Sequence, residues 1–473
     1  MEKKWHELIT REIVGLNLEV PLIDGTKIRY INLDNAATTP PLNRVAKAVE
    51  LFLPWYSSVH RGFGYKSQLS TEVYRNARQR LMSFFGANPQ QYTAVFVKNT
   101  SEGLNKLSYR LPVKEQEVLS SWMEHHSNDL PWRLKKLATF IELTPDGILD
   151  LADLERTLKK ARPQIKLVTI CGASNVTGVI NPINTIAELA HYYGAELLID
   201  AAQLAPHYPL KINAPGQEQI DYLTLSAHKI YAPFGSGVVI GPLASFYAGT
   251  PEEVGGGTVL AVSREEVVFS PPPDREEVGT PNLIGVFALA IALQWLTENN
   301  FPRLSKYEEE LTSYAFSRLQ TIPGIILYGP SPQHYPRIGV ISFNLLGIPH
   351  GLVAAYLSFE AGIGVRHGCF CARPYVHHLL GLTNKEIIFY ENLVKSGKKC
   401  ELPGMVRISF GFYNTREEIE LLINALQELR KDEGKIKNRY RIDPETGEYL
   451  PKESNFKMII DHQIKNLFEF SST

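Results

Sequence analysis

Cysteine is scarce in this chain, because its 473 residues contain 4 cysteines. That number is too small for a secreted disulfide scaffold. An excess of one charge is missing as well: 49 Lys and Arg residues meet 50 Asp and Glu residues, and the formal net charge is -1. Nucleic-acid-binding proteins usually carry a basic excess, so we expect no nucleic-acid partner.

Long apolar runs and internal repeats are also lacking. The longest apolar stretch, near residues 283–296, matches one helix of a soluble core and is shorter than the ~20 residues that a bilayer span needs. The opening residues, MEKKWHELITREIVG, place charges where a signal peptide would be apolar. We therefore expect no membrane partner and a cytoplasmic, reducing setting, in which the cysteines are free thiols or metal ligands.

Short apolar runs alternate with helical patterns between residues 90 and 300. The strand-like runs are AVFV (94–97), VLSSW (118–122), IKLVTI (165–170), AELLID (195–200) and DYLTLS (221–226). This alternation predicts an α/β fold with a mainly parallel central sheet and helices on both faces. Ligands bind such sheets beyond the carboxyl ends of the strands. The polar residues expected there are Thr100, Ser101, His125, Asn175, Asp200, Gln203, Ser226, His228 and Lys229.

Several of these residues have a chemical interpretation and a structural one. A desolvated Lys229 would be a Schiff-base amine, or it is a surface lysine. Asp200 would pair with a protonated heterocyclic nitrogen, or it caps a helix. Thr100 and Ser101 would hold a phosphate at a helix N-terminus, or they are capping residues. His125 would bind metal, stack on a planar cofactor, or be structural.

The segment VRHGCFCARPY carries two cysteines, Cys369 and Cys371, in a glycine-containing loop. Positive neighbours such as Arg366 lower the pKa of a thiol and favour the thiolate. The Cys-x-Cys spacing alternatively suggests half of a metal site, completed by His367 and Cys400.

The ordered motifs of the chain resemble those of the class V aminotransferase family. They are LDNAATTP (33–40), VHRG (59–62), KNTSEGLN (98–105), EHHSN (124–128), SNVTG (174–178), DAAQ (200–203), SAHK (226–229), GTPN (279–282) and RHGCFCA (366–372). That family has the fold type I of enzymes that use pyridoxal 5′-phosphate (PLP). Within it, the chain is most similar to cysteine desulfurases and selenocysteine lyases.

The resemblance implies a role for each cofactor-binding residue and implies no metal. Lys229 would form the Schiff base, and His125 would stack on the PLP ring. Asp200 would pair with the pyridine nitrogen, and Gln203 with the ring hydroxyl. The residues that would hold the phosphate are Thr100, Ser101, Ser226 and His228. Thr280 would reach the phosphate of the neighbouring subunit, which implies a homodimer.

The resemblance also implies a substrate site and a reaction. Arg407 would bind the substrate α-carboxylate, Asn175 would lie near the ring oxygen and the substrate, and Arg366 would open the cysteine loop. Cys371, rather than Cys369, falls at the catalytic cysteine of the motif, in a loop expected to be flexible. L-cysteine would become L-alanine, leaving a persulfide on Cys371 for a sulfur-acceptor protein.

Two alternative functions stay open on the sequence. One is another class V enzyme that does not use the thiol, such as an aminotransferase, an epimerase, a C–S lyase or a selenocysteine lyase. The other is a scaffold with vestigial catalysis, whose C-terminal additions bind a partner.

We expect a large PLP-binding domain at 34–298 and a smaller α/β domain, which combines 1–33 with 299–430 and carries the cysteine loop. Residues 384–403 form an insertion. The C-terminal extension at 431–473 contains RYRIDPETGEYLP, which predicts a hairpin.

Overall fold

The computed structural model describes residues 2–60, 62–396, 402–443, 446–453 and 455–469. Cys400, part of the alternative metal site, lies outside the described residues. None of the described helices is both long and apolar enough to cross a membrane.

The described residues form the following strands and helices. The strands are β1 (Glu19–Pro21), β2 (Lys27–Arg29), β3 (Ile31–Asn32), β4 (Tyr92–Val97), β5 (Val118–Ser121), β6 (Ala138–Ile141), β7 (Leu167–Cys171), β8 (Glu196–Asp200), β9 (Tyr222–Ser226), β10 (Gly237–Pro242), β11 (Val259–Val262), β12 (Val267–Phe269), β13 (Ile325–Leu327), β14 (Val340–Leu345), β15 (Ile363–Gly364), β16 (Arg366–Gly368), β17 (Met405–Ser409), β18 (Tyr440–Ile442) and β19 (Tyr449–Pro451). The helices are α1 (Glu2–Thr10), α2 (Asn43–Phe52), α3 (Tyr65–Phe84), α4 (Thr100–Arg110), α5 (His126–Arg133), α6 (Leu151–Lys160), α7 (Ile183–Tyr192), α8 (Leu283–Glu298), α9 (Phe301–Leu319), α10 (His350–Ala361), α11 (Arg373–Leu379), α12 (Asn384–Lys395), α13 (Arg416–Lys431), α14 (Glu433–Lys437) and α15 (Phe456–Phe468).

The central sheet has the strand order β4-β10-β9-β8-β7-β5-β6. Neighbouring strands in the part β9-β8-β7-β5-β6 pair in parallel. Strand β10 is antiparallel to both of its neighbours, β4 and β9. Alternate residues of β8 contribute to separate apolar clusters, Leu197 and Ile199 to one and Leu198 to another. Helix α8 packs in the first cluster and α4 in the second, so helices cover both faces. The predicted α/β class and mainly parallel sheet are confirmed.

A second sheet, β13-β14-β17-β16, is antiparallel throughout. Its apolar side chains form a further cluster with helices α9, α10 and α13. Ile31 and Leu33 belong to this cluster, whereas Ile9 and Ile13, near α1, belong to the larger cluster. The proposed domain boundaries stay predictions.

The C-terminal extension folds back onto the second sheet. Strands β18 and β19 pair in antiparallel register, and the backbone N–H of Gly447 donates to the carbonyl of Asp443 at 2.8 Å. The predicted hairpin is therefore present, although Pro444 of its turn lies outside the described residues. Ile436, Tyr440 and Tyr449 are buried in the same cluster as α10.

Candidate active site

The predicted site residues surround a cavity of about 300 Å³ at the carboxyl ends of β7, β8 and β9. The residues that line it are Ala36, Ala37, Asn99, Thr100, Ser101, His125, Ser127, Cys171, Ala173, Asn175, Asp200, Ala202, Gln203, Ser226, His228, Lys229, Arg366, Phe370, Cys371 and Arg407. Thr280 does not line this cavity; it is exposed in the segment before α8. The structure thus brings together every predicted site residue of the chain except Thr280.

Lys229 and Asp200 place an amine and a carboxylate in the same cavity. Lys229 ends a short 3-10 turn that follows β9, and burial lowers the pKa of its amine to about 8. Asp200 is the last residue of β8 and accepts a hydrogen bond from the backbone N–H of Ala202 at 2.9 Å. Burial raises the pKa of Asp200, while that hydrogen bond and the charge of Lys229 oppose the rise. A cationic ring nitrogen is therefore a favourable partner for this carboxylate.

His125 precedes α5 and caps it with its own ring. Its Nδ1 accepts the backbone N–H of Ser127 at 3.1 Å, so the proton of the neutral ring belongs on Nε2. Burial, with the nearby charge of Lys229, lowers the pKa of His125 to about 3. The ring is consequently an uncharged flat surface at pH 7. Among the described residues, no group of three or more His, Cys, Asp and Glu side chains could hold a metal ion.

Hydroxyl groups gather at the N-terminus of α4. The cap of this helix is Asn99, whose side chain accepts the backbone N–H of Glu102 at 3.0 Å. Thr100 and Ser101 are therefore not its capping residues. The Oγ1 of Thr100 lies 2.9 Å from the Oγ of Ser226, and the backbone N–H of Thr100 donates to the same Oγ. Hydroxyls and backbone N–H groups at a helix N-terminus form an anion site.

Two amide side chains tie the cavity wall together. Gln203 donates from Nε2 to the carbonyl of Ala36 at 2.8 Å. Asn175 donates from Nδ2 to the carbonyl of Phe370 at 2.6 Å, so it also fixes the cysteine loop. The backbone carbonyl of Asn175 accepts a hydrogen bond from Nη1 of Arg407 at 2.9 Å. Asn175 thus connects Arg407 to the segment that carries Cys369 and Cys371.

The two predicted arginines are cross-strand neighbours. Arg366 of β16 pairs in register with Arg407 of β17. Burial lowers the pKa of Arg407 to about 10, although the carboxylate of Asp34 raises it. Asp34 contacts both arginines, with 3.1 Å from its Oδ1 to Nη2 of Arg407 and 3.0 Å from its Oδ2 to Nη2 of Arg366. We had not predicted a role for Asp34, although it stands in the motif LDNAATTP.

Cys371 lies on a short turn, and the flexibility that we expected of this segment stays a prediction. The turn consists of residues 369–372 between β16 and α11, and the backbone N–H of Ala372 donates to the carbonyl of Cys369 at 2.9 Å. Phe370 and Cys371 have φ values of 51° and 54°, which are uncommon for residues other than glycine. The carbonyl of Cys371 accepts from the backbone N–H of His126 at 2.7 Å.

The other described cysteines have different surroundings. Cys369 is half-buried and donates from its Sγ to the carbonyl of Pro403 at 3.2 Å. Burial raises the pKa of Cys369, and Arg373 opposes the rise. Cys171 lines the cavity but is buried, and burial raises the pKa of its thiol far above the ordinary value. Cys371 is the exposed thiol of the three, and it lines the cavity.

Comparison with known proteins places the chain in a family. The model of the family described as aminotransferase class-V matches residues 31–422. The chain belongs to this family. It is 33% identical over 416 residues to a probable cysteine desulfurase of Synechocystis sp., covering 86% of this chain and 91% of that protein. It is also 33% identical to a cysteine desulfurase of Shigella sonnei, covering 86% and 95%.

The structural comparison gives the same family. The apo structure of a cysteine desulfurase from Thermococcus onnurineus NA1 matches with a TM-score of 0.74 and 32% sequence identity. The match covers 85% of this chain and 95% of that chain.

The polar groups that line the cavity of this member of the class V aminotransferase family suit a phosphorylated pyridine aldehyde. The helix N-terminus at Thr100 suits a phosphate, the buried carboxylate of Asp200 suits a protonated ring nitrogen, and the neutral His125 suits a flat ring face. Ser127 was missed by our sequence reasoning; its Oγ lies 2.6 Å from that of Ser101 and 3.0 Å from Nδ1 of His125. Its place inside the motif EHHSN was the available signal.

Proposed function

We propose that this protein is a PLP-dependent cysteine desulfurase, which converts L-cysteine to L-alanine and holds the sulfur as a persulfide on Cys371. One observation carries the proposal: an exposed thiol lines the same cavity as the amine of Lys229 and the guanidinium of Arg407. The names of the relatives and of the similar structure support the same activity.

The cofactor would supply an aldehyde that condenses with amines and a ring that withdraws electrons from the attached carbon. Asp200 would hold a proton at the ring nitrogen, which strengthens this withdrawal. His125 would cover a face of the ring as a neutral imidazole. The phosphate would be held by Thr100, Ser101, Ser226 and His228.

Lys229 has two tasks in this proposal. Its amine would hold the cofactor by its aldehyde when no substrate is bound. The same amine, with its pKa lowered to about 8, would take the proton from the substrate Cα. Arg407 orients the substrate by its α-carboxylate, for which a planar fork of N–H donors is suited.

Cys371 accepts the sulfur. Its thiolate attacks the substrate sulfur, an S–S bond forms, and the substrate C–S bond breaks. The electron pair of that bond stays on the substrate carbon, which takes up a proton and becomes the methyl group of alanine. The products are L-alanine and a Cys371 persulfide, from which a sulfur-acceptor protein takes the sulfur.

We also propose a homodimer. Thr280 is exposed and outside the cavity of its own chain, which suits a contact with the cofactor phosphate of a neighbouring subunit. The apolar side chains Leu260 and Val262 of β11 are 67% and 64% exposed, so this hairpin has a surface that a second subunit can cover.

The test is formation of alanine and of protein persulfide from L-cysteine by the PLP-loaded enzyme. Wild type, C371A and C369A are compared side by side, with C171A as a control for a cavity thiol that is buried. We expect C371A to lose both products and C369A and C171A to keep them. A C371A enzyme that still forms alanine at the wild-type rate contradicts the proposal and favours a class V enzyme that does not use the thiol.

A further inference from the structure

The last described helix, α15, stands almost uncovered. It has 13 residues, and none of its side chains is buried in the described part of the chain. At its start, the ring of Phe456 packs edge-on against Phe359 of α10, with 4.8 Å between the ring centroids. The helix lies beyond residues 31–422, which the family model matches. Because an isolated helix of this length is marginal in water, a surface that covers α15 would stabilise it.

Apolar side chains recur every four residues along α15. They form what we call the apolar ridge, which consists of Phe456, Ile460, Ile464 and Phe468. Residues at this spacing make a continuous ridge on a helix, and such ridges pack into the grooves of a second helix. Ile460 is 53% exposed and Phe468 is 85% exposed, so the ridge is open to solvent away from its start. An exposed apolar surface of this kind is typical of an interaction site.

A row of charges runs beside the apolar ridge, shifted by one residue along the chain. This charged row consists of Lys457, Asp461, Lys465 and Glu469, so its signs alternate and its net charge is zero. Neighbours in the row are close, with 3.8 Å from Nζ of Lys465 to Oε1 of Glu469. Helices that lie on anionic lipid carry a basic polar face instead. The charged row therefore favours a protein partner over a lipid surface.

The charged row is complementary to itself when its direction is reversed. In an antiparallel pair of α15 helices with a two-fold axis beside Gln463, Asp461 lies opposite the partner's Lys465. By the same symmetry, Lys457 lies opposite the partner's Glu469. In a parallel pair in register, each charge would lie opposite its own sign. Opposite charges that meet in an interface favour association, so the row fits a second copy of itself in the antiparallel direction.

We propose that α15 is an interaction surface for a second copy of this chain. The two α15 helices pack antiparallel, with their apolar ridges in contact and their charged rows side by side. This contact is separate from the β11–β12 hairpin, and it does not depend on the catalytic function proposed above.

The experiment measures self-association of the full chain by sedimentation equilibrium. It uses the double variant L260D/V262D, in which two aspartates disrupt the hairpin contact of the proposed homodimer, so that pairing through α15 is observed by itself. One helix pair buries a small area, and small interfaces are weak. We therefore expect a reversible dimer with a dissociation constant on the order of 0.1 mM, which forms only in concentrated solutions.

Charge reversals in this background test the arrangement of the two helices. In D461K and in K465D, like charges lie opposite each other at two symmetric places. The dissociation constant should rise by about tenfold in each of them. The combined variant D461K/K465D restores opposite charges between the copies and should return the constant to within about twofold of its starting value.

The single and combined variants are matched within the helix. Each of them has one attractive and two repulsive pairs of neighbours in the charged row, so the local effect on helix stability is the same. A difference between them consequently arises between the copies. In a parallel pair each charge would lie opposite its own sign in every variant, and all of the variants would associate equally.

Two results overturn the proposal. One is a chain with native α15 that does not associate further in concentrated solution. The other is equal association of the single and combined variants, which is also expected if a different protein or a lipid surface covers the ridge. If L260D/V262D keeps the mass of the native chain, the hairpin contact is wrong, and the charge variants still report on α15. No activity is measured, so the proposed function fails separately.

Discussion

Lys229 shows how position alone prepares a side chain for chemistry. Lysine has an ordinary pKa of ~10.4, so an exposed amine is almost fully protonated at neutral pH. In the cavity, burial lowers the pKa of Lys229 to about 8, and the repulsion from Arg407 acts in the same direction, against the attraction of Asp200. A useful fraction of the amine is therefore neutral and nucleophilic near neutral pH.

The rate at which the apoenzyme takes up PLP should report this pKa. The amine is protonated below its pKa and neutral above it, so the rate should rise between pH 6 and about 8 and then level off. Stopped-flow absorbance of apoenzyme mixed with PLP measures it, with Nα-acetyl-lysine as the reference for an unburied amine. A rate that climbs through pH 10 in parallel with this reference would show an unperturbed lysine.

The variant K229A supplies the control for that measurement. It should bind PLP without the absorbance of a Schiff base to the protein. If the absorbance persists in K229A, another amine has reacted, and the role of Lys229 is wrong.

The turn that carries Cys371 has a backbone conformation that its residue types disfavour. Its two central residues, Phe370 and Cys371, have positive φ values, a conformation that costs an L-residue roughly 1 kcal/mol or more. The neighbouring structure holds the turn in place. Asn175 binds one carbonyl of the turn and His126 the next, and the ring of Phe370 lies 4.9 Å from the guanidinium of Arg407.

Glycine at Cys371 should therefore stabilise the fold relative to alanine. We expect C371G to be more stable than C371A by about 1 kcal/mol, because glycine adopts positive φ without a steric penalty. Thermal unfolding midpoints of the two variants test this. Both lack the thiol, so loss of the catalytic group cancels in the comparison.

The neighbouring cysteine offers the matched control. Cys369 is not among the residues with positive φ, so C369G should be less stable than C369A. If glycine is favoured over alanine at both positions, or at neither, the difference does not come from the left-handed backbone at Cys371.

The insertion and the C-terminal extension meet at the strand that leads into this turn. His367 of β16 contacts Glu448 of the extension, with 2.7 Å from Nε2 to Oε2. His350 lies 3.2 Å from His367 between their Nδ1 atoms and 2.8 Å from the carbonyl of Leu402. With the contact between Cys369 and Pro403, residues of both segments contact the strand and the turn that carry Cys371.

At the scale of the whole molecule, one hairpin lacks cover within a single chain. Strands β11 and β12 form a two-stranded sheet, and Leu260, Val262, Val267 and Val268 are all exposed. An isolated two-stranded hairpin is marginal in water, and an exposed apolar patch is typical of an interface. In the proposed homodimer, a second copy of the chain covers this apolar hairpin.

Charged residues on this hairpin should weaken the dimer. We expect the double variant L260D/V262D to shift the protein from dimer to monomer in sedimentation or light-scattering measurements, because burying two aspartates is unfavourable. It should also bind PLP more weakly, since Thr280 of each chain would no longer reach the phosphate of the other subunit.

A single substitution elsewhere provides the comparison. L346D changes another exposed leucine, 62% accessible, in the turn that follows β14, and should leave the mass in solution unchanged. A wild-type protein that is monomeric at all concentrations, or an unaltered dimer in L260D/V262D, contradicts the predicted assembly.

The sequence by itself determined the class of fold and most of the cavity. Mostly apolar runs such as IKLVTI are typical of strands that are covered on both faces, so their alternation with helices predicts a parallel sheet. Ligand groups gather at strand ends in such sheets, and Asp200 and Lys229 were located by that rule. Nine ordered motifs then indicated the family.

The tertiary structure alone decided the interactions between segments that are distant along the chain. Asp34 contacts Arg366 although the two residues are 332 positions apart in the sequence, and no local pattern encodes that contact. The burial that shifts the pKa of Lys229 and His125 exists only in the folded chain, and the turn at Cys371 is held by hydrogen bonds from Asn175 and His126. Local sequence determines periodicity and turns, whereas electrostatics depends on distance and desolvation, which exist only once the chain has folded.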